Sequence, residues 1–135
     1  MKKRFIDAYM KSAYVFAELS HCKRRKVGCV VVKNDTIISI GYNGPPAGWD
    51  NNCEGDDGKT LPHVIHAEMN AITKLTKSHE SAVGSTMFIT TAPCLPCATI
   101  LSEIGLEHIY YAEDYKGTEG LEHLSARGIA VTQVK

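Results

Sequence analysis

Two short stretches of the chain carry side chains that bind transition metals. They are His66-Ala67-Glu68 and Pro93-Cys94-Leu95-Pro96-Cys97, which together offer one imidazole, two thiols and one carboxylate. A zinc ion that catalyses hydrolysis takes three protein ligands and keeps its fourth tetrahedral position for water. No second Cys-x-x-Cys supplies a fourth cysteine that would close the site. The sequence therefore predicts a zinc centre with a bound water, held by His66, Cys94 and Cys97.

Glu68 is the candidate proton carrier of this centre. Two thiolates and a neutral imidazole cancel the charge of the ion, so the water is acidified less strongly than in a three-histidine site and needs a nearby base. In a continuous helix Glu68 would point away from His66, but both side chains can face one cavity if the helix begins just after His66. Both metal-binding stretches lie at predicted helix starts, where the positive end of the helix dipole favours thiolates.

The elements that must position these residues follow from the spacing of apolar residues. Strands are predicted at 27–32, 36–40, 85–91, 109–112 and 129–134, and helices at 5–19, 67–77, 98–104 (with Pro96 in its first turn) and 120–127. The first two strands form a hairpin, whereas the later strands alternate with helices and need parallel crossovers. We predict one α/β domain over residues 1–135, with helices on both faces of a mixed five-stranded sheet whose last strands are parallel.

Three segments break this periodicity and are candidate pocket walls. The run Lys23-Arg24-Arg25-Lys26 leads directly into a buried strand, which places its last residues at a pocket mouth. The stretch Gly41-Tyr42-Asn43-Gly44-Pro45-Pro46-Ala47-Gly48 predicts a shaped loop. Residues 49–63 are polar and aperiodic, and long connections of this kind inside compact domains are usually functional or mobile.

Composition limits the classes of partner. The chain has 15 basic and 15 acidic residues, so no broad charged surface for long nucleic acid is expected, and a small ligand is favoured. No apolar run approaches the roughly 20 residues that span a bilayer, and no signal-peptide core follows the basic start, so we expect no membrane contact and a cytoplasmic location, the host cytoplasm for a viral protein. The five cysteines favour metal ligation over a disulfide framework, and Cys29 in a buried strand is expected to be a core residue.

The paired His-x-Glu and Pro-Cys-x-x-Cys motifs resemble the signature of the zinc-dependent cytidine deaminase superfamily. From about Phe5 to Val134 the chain is similar, more narrowly, to the deoxycytidylate (dCMP) deaminases of that superfamily. The narrower similarity is carried by the loop at 41–48 and by the stretches His66-Ala67-Glu68-Met69-Asn70-Ala71-Ile72 and Tyr110-Tyr111-Ala112-Glu113-Asp114-Tyr115. The resemblance implies a three-layer α/β/α fold and hydrolysis of dCMP to dUMP and ammonia, a supply step for thymidylate synthesis.

The resemblance also implies roles at the reacting atoms. Glu68 would take a proton from zinc-bound water and pass it to N3 of the ring, hydroxide would attack C4, and the same carboxylate would help to protonate the leaving amine. The backbone N–H of Ala67 would hold the ring carbonyl. Backbone carbonyls near Thr91 and Ala92 would accept hydrogen bonds from the amine.

Recognition of the rest of a nucleotide would fall to other residues. Asn43 resembles the contact of the family to the sugar hydroxyl, and Tyr115 resembles the aromatic residue that stacks on the base. A 5′-phosphate requires cationic donors, because charge-assisted hydrogen bonds hold phosphate oxygens best. The candidates are Arg25, Lys26 and Lys116, which the sequence does not rank.

Two further properties of the family are implied. Its members are commonly homohexamers that dCTP activates and dTTP inhibits, the effector being bound with magnesium near the loop that here reads Gly41, Tyr42, Asn43 and Gly44. Some relatives hold a second, structural zinc at positions that match Cys22 and Cys53, for which His63 is a candidate third ligand and no fourth is evident.

Two alternatives to dCMP deamination stay open. One is zinc-dependent deamination of another cytosine or adenine substrate, either a free nucleoside or transfer RNA, which the balanced charge and the Gly-Tyr-Asn-Gly loop disfavour. The other makes the metal a structural clip in a nucleotide-binding module, in which case Glu68 would have no catalytic part.

Overall fold

The computed structural model describes residues 1–135 as alternating helices and strands. The helices are α1 (Lys3–Ala17), α2 (Ala67–Thr76), α3 (Leu95–Leu101) and α4 (Glu119–Ala126), and the strands are β1 (Gly28–Lys33), β2 (Thr36–Tyr42), β3 (Thr86–Thr91), β4 (His108–Glu113) and β5 (Ala130–Gln133). The longest helix, α1, has 15 residues, and none of the helices combines the length and apolar character of a membrane span. The predicted elements are present, with α3 beginning and ending three residues earlier than expected.

The strands form one sheet in the order β2-β1-β3-β4-β5. Strand β1 pairs antiparallel with β2 and β3, whereas β3, β4 and β5 are parallel. The β1–β2 connection is a tight turn in which Asn34 and Asp35 take positive φ values of 51° and 60°. The parallel strands are joined through helices, because a short turn cannot return the chain to the same end of the sheet. The predicted mixed five-stranded sheet is confirmed.

Helices cover both faces of this sheet. Met10 and Ala13 of α1 pack with Val30, Phe88 and Tyr110 on one face. The other face carries the larger cluster, which joins residues of α2, α3 and α4 to the sheet; its buried members include Ala67, Ala71, Ala98, Leu101 and Leu124 with Cys29, Val31, Met87, Ile89 and Ile109. The three-layer α/β/α architecture is therefore present, and Cys29 is a core residue with no exposed surface, as predicted.

Two glycines bring helices unusually close to the sheet. A Cβ atom added to Gly28 would overlap the carbonyl oxygen of Ala13, and one added to Gly41 would overlap that of Ala67 and lie 2.6 Å from the nitrogen of Ala71. Helices α1 and α2 therefore rest directly on β1 and β2 at these points. The position of α2 matters most, because it fixes the stretch that begins at His66.

Candidate active site

The predicted metal donors lie at the starts of two helices. His66 and Cys94 are the extended residues that precede α2 and α3, with φ/ψ of −68°/153° and −71°/166°. Cys97 lies in the first turn of α3, which begins just after β3, and Pro96 occupies a first-turn position that lacks a backbone hydrogen-bond donor in any case. The extended backbone at His66 is the geometry that lets its imidazole and the first-turn residue Glu68 share one cavity.

The three donor atoms fit a zinc ion. Nδ1 of His66 lies 3.6 Å from Sγ of Cys94 and 3.2 Å from Sγ of Cys97, and the donor atoms all lie within 4.8 Å of one another. Tetrahedral zinc with bonds of about 2.1 Å to nitrogen and about 2.3 Å to sulfur places such ligands about 3.6 Å apart. The donor set of one imidazole and two sulfurs is also the set that zinc prefers over harder cations.

Electrostatics differ among the three donors, because the interaction between the two sulfurs raises the pKa of the Cys97 thiol and lowers that of the Cys94 thiol. Hydrogen bonds from Cys97 and His66 lower the pKa of Cys94 to about 4, so this sulfur is a thiolate at neutral pH. The thiolate is the form that binds metals, and the backbone N–H groups at the start of α3 stabilise it further.

Glu68 is a buried carboxyl group beside the donors. Its residue is only 3% exposed, and burial raises its pKa to about 7, with the positive charge of His66 acting in the opposite direction. A carboxyl group with a pKa near neutrality can both accept and release a proton under physiological conditions, which is the requirement for general acid–base catalysis.

A cavity of about 560 Å³ opens above the donors and Glu68. Its volume suits a ligand of nucleotide size. Among its walls are most of the residues that the sequence assigned to substrate: Asn43, Ala67, Thr91, Ala92, Tyr115, Arg25 and Lys116. Lys26, the remaining candidate for phosphate, does not line it. The structure brings the predicted metal donors, the candidate proton carrier Glu68 and several cations to one side of the sheet, where His66, Cys94, Glu68 and the cations line one cavity.

The chain is similar over most of its length to one enzyme family. The family model for the cytidine and deoxycytidylate deaminase zinc-binding region matches residues 3–113. The chain belongs to this family. The dCMP deaminase of cyanophage S-TIM5, solved with dCMP and dUMP, is 44% identical and superimposes with a TM-score of 0.97 over 99% of each chain.

Sequence relatives of this deaminase family differ in length. The deoxycytidylate deaminase of Mycobacterium phage D29 is 32% identical over 122 residues, which cover 80% of this chain and 94% of that protein. The deoxycytidylate deaminase of Saccharomyces cerevisiae is 30% identical over 98% of this chain, which spans only 46% of the yeast protein. The resemblance seen in the motifs is confirmed, and the deaminase region accounts for about half of the yeast relative.

Asn43 uses its amide group to hold the neighbouring loop. Its Oδ1 accepts a hydrogen bond from the N–H of Val27 at 2.9 Å, and its Nδ2 donates to the carbonyl of Arg25 at 2.8 Å. One N–H and one lone pair of the amide stay free for a ligand. If Asn43 also binds a sugar hydroxyl as predicted, the same amide group holds both the sugar and the backbone at Arg25 and Val27.

The cations around the cavity are more numerous than the sequence suggested. Arg24 and Lys59 line the cavity together with Arg25 and Lys116. The guanidinium carbon of Arg25 lies 5.9 Å from the centre of the Tyr115 ring, within reach of a cation–π interaction. Lys59 was not predicted as a cavity residue because it lies in the connection at 49–63, and the sequence pattern does not specify the path of that connection.

The stretch Gly41 to Gly44, predicted to bind effectors, has clear structural contacts. Gly41 packs against the backbone of α2, and the carbonyl of Tyr42 accepts a hydrogen bond from Nδ2 of Asn70 at 2.7 Å. Gly44 pairs with Ile65 in an isolated β-bridge. These contacts explain the residue types by packing alone, so the effector role stays a prediction.

The pair Cys22 and Cys53 forms a disulfide, whereas the sequence favoured metal ligation over disulfides and suggested these two residues as ligands of a second zinc. The two residues meet because the carboxylate of Glu54 accepts hydrogen bonds from the N–H groups of Lys23 and Arg24, which joins the two loops. Glu54 completes a group of three potential donors with the two sulfurs. The suggested third ligand, His63, is not in this group and instead packs on Trp49, with 4.8 Å between ring centres.

Proposed function

We propose that this chain is a single deaminase domain that converts dCMP to dUMP and ammonia with the help of zinc. The observation that carries the proposal is the convergence of the donor atoms of His66, Cys94 and Cys97 beside a cavity that His66, Cys94 and the buried residue Glu68 line. Similarity over the full chain to the cyanophage enzyme supports the choice of dCMP as substrate.

The residues of the cavity account for the chemistry. Zinc, when bound by the three donors, supplies a Lewis acid that lowers the pKa of a water molecule. Glu68 takes one proton from the attacking water and donates it to N3 of the ring as the water oxygen bonds to C4. It then takes the second proton from that hydroxyl and donates it to the amine at C4, so that the C–N bond breaks, ammonia leaves and the C4=O of dUMP forms. The N–H of Ala67 faces the ring carbonyl, and carbonyls near Thr91 and Ala92 accept from the amine.

Recognition of the nucleotide combines stacking, a sugar contact and charge. Tyr115, at the cavity wall, stacks on the base, and the free N–H or lone pair of Asn43 meets the sugar hydroxyl. The 5′-phosphate is held by cations of the cavity wall, a set that includes Arg24, Arg25, Lys59 and Lys116. Lys26, which does not line the cavity, is the weakest of the original candidates.

Ammonia release tests this assignment. Zinc-loaded protein is assayed with dCMP, deoxycytidine and an RNA hairpin, the last two representing the nucleoside and transfer-RNA alternatives. We expect turnover of dCMP, at least about tenfold weaker turnover of deoxycytidine because the phosphate contacts are lost, and none of the hairpin. Equal turnover of deoxycytidine and dCMP would contradict the proposed substrate, and absence of turnover would contradict enzymatic activity.

We further propose that the enzyme works in the cytoplasm, supplies dUMP for thymidylate synthesis, and is a homohexamer activated by dCTP and inhibited by dTTP with Mg²⁺. The loop at Gly41 to Gly44 is the proposed effector contact. Sedimentation of the zinc-loaded protein gives the oligomeric state, and initial rates with each triphosphate and Mg²⁺ give the direction of control. If neither triphosphate changes the rate, the proposed regulation is contradicted, while the proposed deamination of dCMP is unaffected.

A further inference from the structure

The segment that carries Tyr115 and Lys116 into the cavity has little packing of its own. We call residues 114–118 the Tyr115 loop; it connects β4 to α4, and its residues are exposed. Its far end is held where the hydroxyl of Thr118 donates to Oε1 of Glu122 at 2.8 Å. In its middle, Tyr115 meets the guanidinium of Arg25. The near end of the loop depends on Glu113, the last residue of β4.

Glu113 joins two layers of the fold. Its carbonyl accepts a hydrogen bond from the N–H of Ala92 at 2.8 Å, which fixes its backbone to the segment that leads to Cys94. Its side chain points to the first helix, where the hydroxyl of Tyr14 donates to Oε2 at 2.7 Å. The two residues lie 99 positions apart in the chain, and Tyr14 does not line the cavity.

We infer that Tyr14 is a positioning residue for the substrate: its hydrogen bond to Glu113 anchors the near end of the Tyr115 loop and so holds the Tyr115 ring over the cavity. The inference rests on the proposed function only where it concerns dCMP. This hydrogen bond is charge-assisted but joins two exposed side chains, so we expect a modest contribution from it, and it acts at the residue from which the loop departs.

The phenol of Tyr14 is in the form that can donate to Glu113. Partial burial, together with the hydrogen bond and the negative charge of Glu113, raises the pKa of Tyr14 to about 12. The phenol therefore keeps its proton and donates at neutral and mildly alkaline pH.

Tyr14→Phe removes the hydroxyl and keeps the ring. Tyr9→Phe is the matched control, because Tyr9 lies on the same helix and its hydroxyl donates to the carbonyl of Asp35, in the β1–β2 turn. For Tyr14→Phe we expect a KM for dCMP raised about fivefold, a kcat within about twofold of wild type, and amide hydrogen exchange at Ala92, whose N–H donates to the carbonyl of Glu113, about tenfold faster. Tyr9→Phe is expected to leave all three quantities unchanged.

Glu113 supplies the second arm of the test. Glu113→Gln keeps an acceptor oxygen, so its KM for dCMP and its exchange rate are expected to lie between those of wild type and Tyr14→Phe. Glu113→Ala is expected to give the same KM and exchange rate as Tyr14→Phe. The double variant Tyr14→Phe, Glu113→Ala is expected to have the same KM and exchange rate as either single variant, because the two substitutions remove the same hydrogen bond.

A wild-type exchange rate at Ala92 in Tyr14→Phe would overturn the inference, as would additive effects of the two substitutions. A fall in kcat with faster exchange along the whole of α1 would show a general structural effect and would also overturn it. If wild-type protein releases no ammonia from dCMP, the proposed function fails, while the exchange comparison still decides whether Tyr14 anchors the loop.

Discussion

The residues proposed for the chemistry and those proposed for recognition are held in place in different ways. The predicted metal donors and Glu68 belong to the starts of α2 and α3, which pack on the core. Glu68 and Cys97 are buried, whereas Cys94 is half-buried and His66 is exposed. The recognition residues lie on loops, where Tyr115 is 39% exposed and Lys59 is also exposed. We call the residues proposed for the chemistry, which lie at the two helix starts, the core-built part of the site. We call the recognition residues on the loops the loop-built part.

The loops are attached to one another by a few side-chain hydrogen bonds and by the Cys22–Cys53 disulfide. The amide of Asn43 holds the backbone at Arg25 and Val27, and the carboxylate of Glu54 holds the backbone near Cys22. Exposed bonds of this kind open more easily than a packed core. We therefore expect substitutions in the core-built part to abolish catalysis, and substitutions in the loops to change mainly KM.

The largest effect is expected from Cys97→Ala. Removing this donor leaves two protein ligands, so we expect the zinc content to fall from about one to near zero per chain and activity to become undetectable. Cys29→Ala is the matched control: this buried cysteine lies outside the donor set, so the variant is expected to lose about 1 kcal/mol of stability and keep its metal. Metal analysis measures both variants, and a Cys97→Ala protein with a full complement of zinc would contradict the donor assignment.

Glu68→Gln is expected to have the next largest effect. The amide cannot carry a proton between water, ring and amine, so turnover is expected to fall by at least ~10²-fold while zinc stays bound. Glu18→Gln, which neutralises an exposed carboxylate elsewhere, is expected to be silent. Steady-state rates and metal content decide the matter. Normal turnover in Glu68→Gln would contradict its role as the proton carrier.

Gly41→Ala tests whether the core-built part depends on the close packing of α2 against β2. The added methyl group would overlap the carbonyl of Ala67, so we expect a loss of about 1–3 kcal/mol in the free energy of unfolding. A shift of the helix start that carries Glu68 is expected to lower kcat by roughly tenfold. Gly44→Ala, where a Cβ has no neighbour within 4 Å, is the control. If urea unfolding shows equal stability for the two variants, the close contact of Gly41 with α2 does not contribute to stability as proposed.

The sequence could predict the core-built part because its information is local. Apolar spacing specified the strands and helices, and the motif residues His66, Cys94 and Cys97 follow directly from two helix starts. The course of the loops depends on contacts between distant residues, such as Glu54 with Lys23, which periodicity does not report. Arg24 and Lys59 were missed for this reason, and Asn43 was assigned to a ligand although its amide also binds backbone.

Lys59→Gln is the smallest of these changes and the most specific to the loop-built part. Lys59 is exposed at the cavity wall, and an exposed charge pair contributes at most about 1 kcal/mol, so we expect the KM for dCMP to rise about two- to fivefold with kcat unchanged. The KM for deoxycytidine, which lacks the phosphate, is expected to stay the same. Lys11→Gln, which removes an exposed cation on α1 outside the cavity, controls for net charge. If Lys59→Gln raised the KM of both substrates equally, Lys59 would be supporting the loop rather than meeting the phosphate, and the cations at 24, 25 and 116 would hold the phosphate without it.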